Sequence, residues 1–144
     1  MKRLASALLA AALLAAPALA QDQRSVVTVV TSPEPQTQLM AMVLTMQAAR
    51  QGASAHVLLC GPGGDMALID APDSATAGQP PRDMSPQGLM LALQQTMGAT
   101  VEVCAIYLPG AGLDASALVE GVGVAKPPAM AAKLMDPNAT VLSF

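Results

Sequence analysis

Hydrophobic and polar positions alternate along this chain with two different periods. Val26 to Thr31 is a β-branched run that reads as a central strand, closed by Pro33-Glu34-Pro35. Leu39, Met42, Val43, Met46 and Ala49 then recur at helical spacing, and Gly52 stops the helix. Ala55 to Cys60 reads as a second strand, ended by Gly61-Pro62-Gly63-Gly64, and Met66 to Ile69 as a short strand or one helical turn. Asp70 to Asp83 carries four Gly or Pro positions and few large apolar groups, which predicts a mobile loop. Ser85 fits an N-cap with Pro86 at the first helical position, and Leu89, Met90, Leu93 and Met97 form an apolar face that ends at Gly98. Thr100 to Tyr107 reads as a strong strand turned by Pro109 to Gly112. A short helix capped by Asp114, a helix over Pro127 to Met135 and a strand over Thr140 to Phe144 complete the pattern. Strands alternating with helices predict a parallel sheet covered on both faces.

The first twenty residues stand outside that pattern. Lys2 and Arg3 precede an Ala/Leu run from Leu4 to Ala16, and Pro17 and Ala18-Leu19-Ala20 follow as a cleavage site. The run is shorter than the ~20 residues a membrane span needs. No cysteine follows the cut to carry a lipid, since Gln21 stands there. We expect residues 1–20 to be a signal peptide, residues 21–144 to form one domain, and the mature protein to reside in the periplasm without a membrane anchor.

Charge and composition then narrow the function. Beyond residue 20 there are five basic residues against ten acidic ones, and Arg24, Arg50, Arg82, Lys126 and Lys133 form no stripe. Nucleic-acid backbones need clustered cations, so nucleic acid is not an expected partner. Tyr107 and Phe144 are the only aromatics, which leaves no stacking platform and makes the core aliphatic and rich in Met.

Open parallel sheets place ligands at the carboxyl ends of their strands, here Thr31–Thr37, Cys60–Asp65 and Cys104–Gly112. Gly110, Gly112 and Ala115 match the spacing of a dinucleotide fingerprint. They do not follow the first strand, and no acidic partner lies at the required distance, so tight-turn glycines are the better reading. The loop after the first strand has no glycine for a phosphate cradle. His56 is the only histidine, and four strand residues separate it from Cys60, roughly 13 Å, too far for one ion. No metal and no cofactor is expected, and nothing resembles a nucleophile elbow. The chemistry-bearing pair is Cys60 and Cys104, each at or near a strand end. In an oxidising compartment an even cysteine count suggests a disulfide, although spacing alone does not decide between a bridge, two buried thiols and a reactive thiol. Strand alternation puts Glu102 and Cys104 on one side of their strand, opposite Val101 and Val103.

The opening VVTVVTS strand, Gly52-Ala53-x-Ala55-x-Val57, and Gly98-Ala99-x-Val101-x-Val103-Cys104 together resemble the DsrE/DsrF-like family of sulfur-relay proteins. Gly112-Leu113, Leu118-Val119-x-Gly121-Val122 and the terminal Ala139 to Phe144 extend the resemblance over nearly all of residues 21–144. It implies an α/β fold, a three-layer α/β/α sandwich around a mostly parallel sheet of about five strands, assembled as a homo-oligomer. It also implies that Cys104 carries sulfur as a persulfide, receiving it from a donor or passing it to an acceptor protein. In this reading Gly110 and Gly112 supply backbone N–H groups to the pocket, and Cys60 lies beside it. The Arg-Gly pair that relay members carry after the cysteine is replaced by Gly110-Ala111-Gly112. Two other roles stay open: a non-catalytic binding or assembly module in which Cys104 is a packed strand residue, and thiol–disulfide exchange between Cys60 and Cys104.

Overall fold

β1 (Ser25–Val30) and β2 (Ser54–Leu59) pair in parallel over their full length, Ser25 opposite Ser54 and Val30 opposite Leu59. The computed structural model describes residues 24–144; the expected signal peptide and the cut after Ala20 lie outside the described residues. β3 (Thr100–Val103) and the two-residue β4 (Gly123–Val124) extend the sheet beyond β2, and β5 (Ala139–Ser143) closes it beyond β1. The order is β4-β3-β2-β1-β5, with every pairing parallel.

Each face of that sheet has its own core. α1 (Pro35–Arg50) and α3 (Pro86–Met97) bring Met42, Met46, Met90 and Leu93 against Val30, Val57, Leu59, Val101 and Val103. On the other face α5 (Pro127–Leu134) sets Met130 against Val27, Leu58 and Ala125. The expected three-layer α/β/α sandwich is the fold found. Alternation along β1 explains the division, because successive side chains enter opposite layers. One polar pair sits in the larger core: Thr45 donates its hydroxyl to Ala41 O at 2.7 Å, which leaves Thr28 to donate to Thr45 at 2.6 Å. Both hydroxyls are thereby satisfied, as burial requires.

The helix starts follow local chemistry. Ser85 accepts from the Gly88 N–H at 3.1 Å, Pro86 opens α3, and Gly98 ends it in the left-handed region at φ 65°. α1 begins with Pro35 under an N-cap that the sequence reading passed over, Glu34, which accepts from Gln36 N–H at 3.0 Å and Thr37 N–H at 2.6 Å. Those two bonds hold the Glu34 carboxyl below its ordinary pKa.

Four expectations need correction. β3 stops at Val103 instead of running to Tyr107, because the chain turns at Cys104 and enters α4 (Tyr107–Ala111). Gly61–Ala67 is a 3₁₀ helix, after which Leu68 bridges to Leu118, so the helical alternative for Met66 to Ile69 holds only for Met66 and Ala67, and no strand forms there. The Asp70–Asp83 segment is not structureless. It holds α2 (Asp73–Thr76), whose Ala75 is fully buried, and an antiparallel bridge from Gln79 to Met84. One small side chain carries that burial, which the apolar pattern does not register. Finally, Asp114 caps only a 3₁₀ turn, Ala115–Ala117, accepting from Ser116 N–H at 2.8 Å, and β4 follows it.

Candidate functional site

Cys60 and Cys104 are the residues immediately beyond β2 and β3. The β2–β3 register sets Leu59 opposite Val103, so the next pair along the ladder is Cys60 and Cys104. Their backbones keep that pairing. The Cys60 N–H donates to Val30 O at 2.9 Å and the Cys104 N–H to Leu59 O at 2.8 Å. Each carbonyl then begins a turn, Cys60 O accepting from Gly63 N–H at 3.1 Å and Cys104 O from Tyr107 N–H at 2.8 Å. Neighbouring strand ends on one face bring the Cα atoms to 5.0 Å, within disulfide range, and the two sulfurs are bonded. Of the three states the sequence left open, the structure holds the bridged one. Both cysteines are half-buried and pack on the Val27–Leu58–Ala125–Met130 cluster beneath α5.

The two turns leaving the cysteines are locked together. Gly63 lies so close to the end of β1 that a Cβ there would overlap Val30 O, and a Cβ on Gly64 would overlap the Tyr107 ring. Tyr107 donates its hydroxyl to Asp65 Oδ1 at 2.7 Å. Burial, and then the Asp65 hydrogen bond, push the Tyr107 phenol well above its ordinary pKa, so it stays a donor throughout the neutral range. This latch joins the turn after Cys60 to the turn after Cys104. Between Cys104 and Tyr107, Ile106 is 81% exposed at the rim of the site.

Gly110 and Gly112 do not do what was expected of them. The Gly110 N–H donates to Ile106 O at 3.0 Å and the Gly112 N–H to Pro109 O at 3.2 Å. Both donors are engaged within α4 and its end, so they are not free to enter a pocket. Gly112 instead serves as the left-handed C-cap at φ 68°. At five residues, α4 is also too short to supply a strong dipole to Cys104.

One pairing that sequence reading missed lies further back on the same face, with Glu102 two residues before Cys104 and His56 four before Cys60. His56 Nε2 sits 2.9 Å from Glu102 Oε2, yet without the alignment of a hydrogen bond, so both ring nitrogens are buried and unsatisfied. Burial holds the His56 pKa below its usual value against the opposing pull of Glu102, and Lys133 adds to the lowering. Two recesses of about 1140 and 510 Å³ open at the amino end of the sheet, and neither cysteine lines them. Among the described residues there is no group of three His, Cys, Asp or Glu able to hold a metal ion, and no helix is long and apolar enough to cross a membrane.

Neither a family model nor a curated protein matches the sequence. Solved structures do match its shape. YchN from Escherichia coli aligns over 85% of this chain and 100% of its own, with a TM-score of 0.60 and 19% identity. MTH1491 from Methanobacterium thermoautotrophicum, a protein of unknown function, aligns over the same shares with a TM-score of 0.60 and 16% identity. The chain has the DsrE-like fold. At such identities the likeness concerns the fold alone, and the DsrE-like architecture places the ends of β2 and β3, with Cys60 and Cys104, at the edge where open parallel sheets act.

Proposed function

We propose that this DsrE-like protein handles sulfur in the periplasm, with Cys104 as the carrier and Cys60 as the thiol that resolves it. The observation behind this reading is the placement of the two sulfurs on adjacent carboxyl strand ends, close enough to bond. The cycle starts when a thiol reductant opens the bridge, giving two protein thiols and an oxidised reductant. A persulfide donor, R–S–SH, then passes its outer sulfur to the Cys104 thiolate, leaving Cys104–S–SH and the donor thiol. The sulfur leaves either to an acceptor thiol or by attack of Cys60 on the inner sulfur of the persulfide. That attack forms the Cys60–Cys104 disulfide and releases hydrogen sulfide; the two protein sulfurs are oxidised and the departing sulfur is reduced.

Access favours Cys104. It stands at the turn beside exposed Ile106, whereas Cys60 leads into the closely packed Gly63-Gly64 turn. Acid-trap alkylation after mild reduction tests the pair. The bridge opens in the folded protein, and iodoacetamide then modifies Cys104 before Cys60. If the bridge opens only on unfolding, the sulfur-handling reading fails.

A second reading has its own support. Both cysteines pack on an apolar cluster, which suits a structural cross-link in a binding or assembly module. In either reading we propose a homo-oligomer, in which a second copy covers exposed apolar groups such as Met135 and Val141. Light scattering on the purified chain checks this, and a monomer at high concentration contradicts it.

A further inference from the structure

The amino end of the sheet holds chemistry that sulfur handling at Cys60 and Cys104 does not use. His56, 4% exposed, lines the recess of about 510 Å³, a size usual for small-molecule sites. The Glu102 carboxylate lies 2.9 Å from Nε2, and although the two are not aligned as a hydrogen bond, its negative charge favours the proton of the neutral ring on that nitrogen. Nδ1 is then a bare acceptor, buried and without a partner. Buried polar atoms in folded proteins are nearly always completed by a protein group, a water or a ligand. The same recess is lined by Lys133 from the last turn of α5 and by Asp136 just beyond it. Val27, Ala55 and Met97 give it an aliphatic wall.

We propose that this recess binds a small aliphatic α-amino acid. Its carboxylate faces the Lys133 ammonium, its ammonium lies between His56 Nδ1 and the Asp136 carboxylate, and its side chain rests on Val27, Ala55 and Met97. Each group answers one requirement: Nδ1 lacks a donor, Lys133 attracts an anion, and Asp136 attracts a cation. An inorganic anion meets only the second, and is repelled by Asp136 and by the Nδ1 lone pair. The site lies at the opposite end of the strands from the disulfide and stands independently of the sulfur-handling proposal.

His56 is the only histidine in the chain, so its imidazole gives one set of nitrogen resonances in the untagged protein. Titration with L-valine at pH 8, where the ring is neutral, shifts the Nδ1 resonance saturably. Isobutyrate, which lacks the ammonium, and isobutylamine, which lacks the carboxylate, bind about tenfold more weakly or worse. Lys133→Met, an exposed change that leaves the core intact, weakens L-valine binding by at least about tenfold. Absence of a saturable shift, equal binding of isobutyrate, or unchanged affinity in Lys133→Met overturns the proposal.

Discussion

His56 is buried as a neutral ring, and this makes stability depend on pH in a defined direction. Its folded-state pKa lies below the ordinary value of ~6.5, with Glu102 and Lys133 the charged groups acting on it. Above that value both the folded and unfolded states are neutral, and the ring contributes no pH dependence. Below it the unfolded chain takes a proton that the folded chain resists, so stability falls with pH until the folded pKa is passed. Urea melts between pH 8 and 5 will record this loss, and His56→Gln will remove it; a flat profile in the parent chain contradicts the assignment. The Tyr107 hydroxyl makes a comparable single-group prediction. Tyr107→Phe loses the bond to Asp65 at a cost of about 1 kcal/mol, read by chemical denaturation. Neither partnership was legible in the sequence. His56 and Glu102 meet across two strands and Tyr107 and Asp65 across two turns, and a linear pattern carries no information about register. The matching offset of four residues, from His56 to Cys60 and from Thr100 to Cys104, becomes meaningful only once His56 is known to pair with Thr100.

Elements with strong local signals were read well. Ser85, Pro86 and Gly98 delimit α3 because capping and left-handed geometry are properties of neighbouring residues. Ser85→Ala should therefore cost about 1 kcal/mol, measured as a lower urea midpoint with an unchanged slope. β3 was read too long because Ala105 to Tyr107 continue an apolar run. What ends the strand is the Cys104 O to Tyr107 N–H bond, a turn with no Gly or Pro to announce it. The Gly61-Pro62-Gly63-Gly64 segment was read correctly as a strand terminus, but the reason is structural. Gly64 must admit the Tyr107 ring, so Gly64→Ala displaces the latch and should destabilise by about 1–3 kcal/mol, with faster proteolysis near Gly61–Ala67. Stability equal to the parent would mean that the ring has room to move.

At the scale of the molecule, alternation of strands and helices was enough to anticipate a parallel sheet between two helical layers. The strand order was not legible, because crossovers leave no local trace, and so the bridging of Cys60 to Cys104 stayed open. That bridge closes a loop between cysteines 44 residues apart, which restricts the unfolded chain by about 4 kcal/mol in the chain-entropy model. Reduction should lower stability toward that extent while the sheet persists, as followed by circular dichroism and urea melts. A carrier that cycles through the dithiol must tolerate this loss, whereas a structural cross-link has no need to. The most direct measurement of the central claim is intact-protein mass spectrometry of the reduced chain after exposure to a persulfide donor. The account predicts that Cys60→Ser gains one sulfur atom on Cys104 and retains it, that Cys104→Ser gains none there, and that the parent chain returns to the disulfide with release of sulfide. Loading that is unchanged in Cys104→Ser, or absent from Cys60→Ser while its fold is intact, contradicts the account.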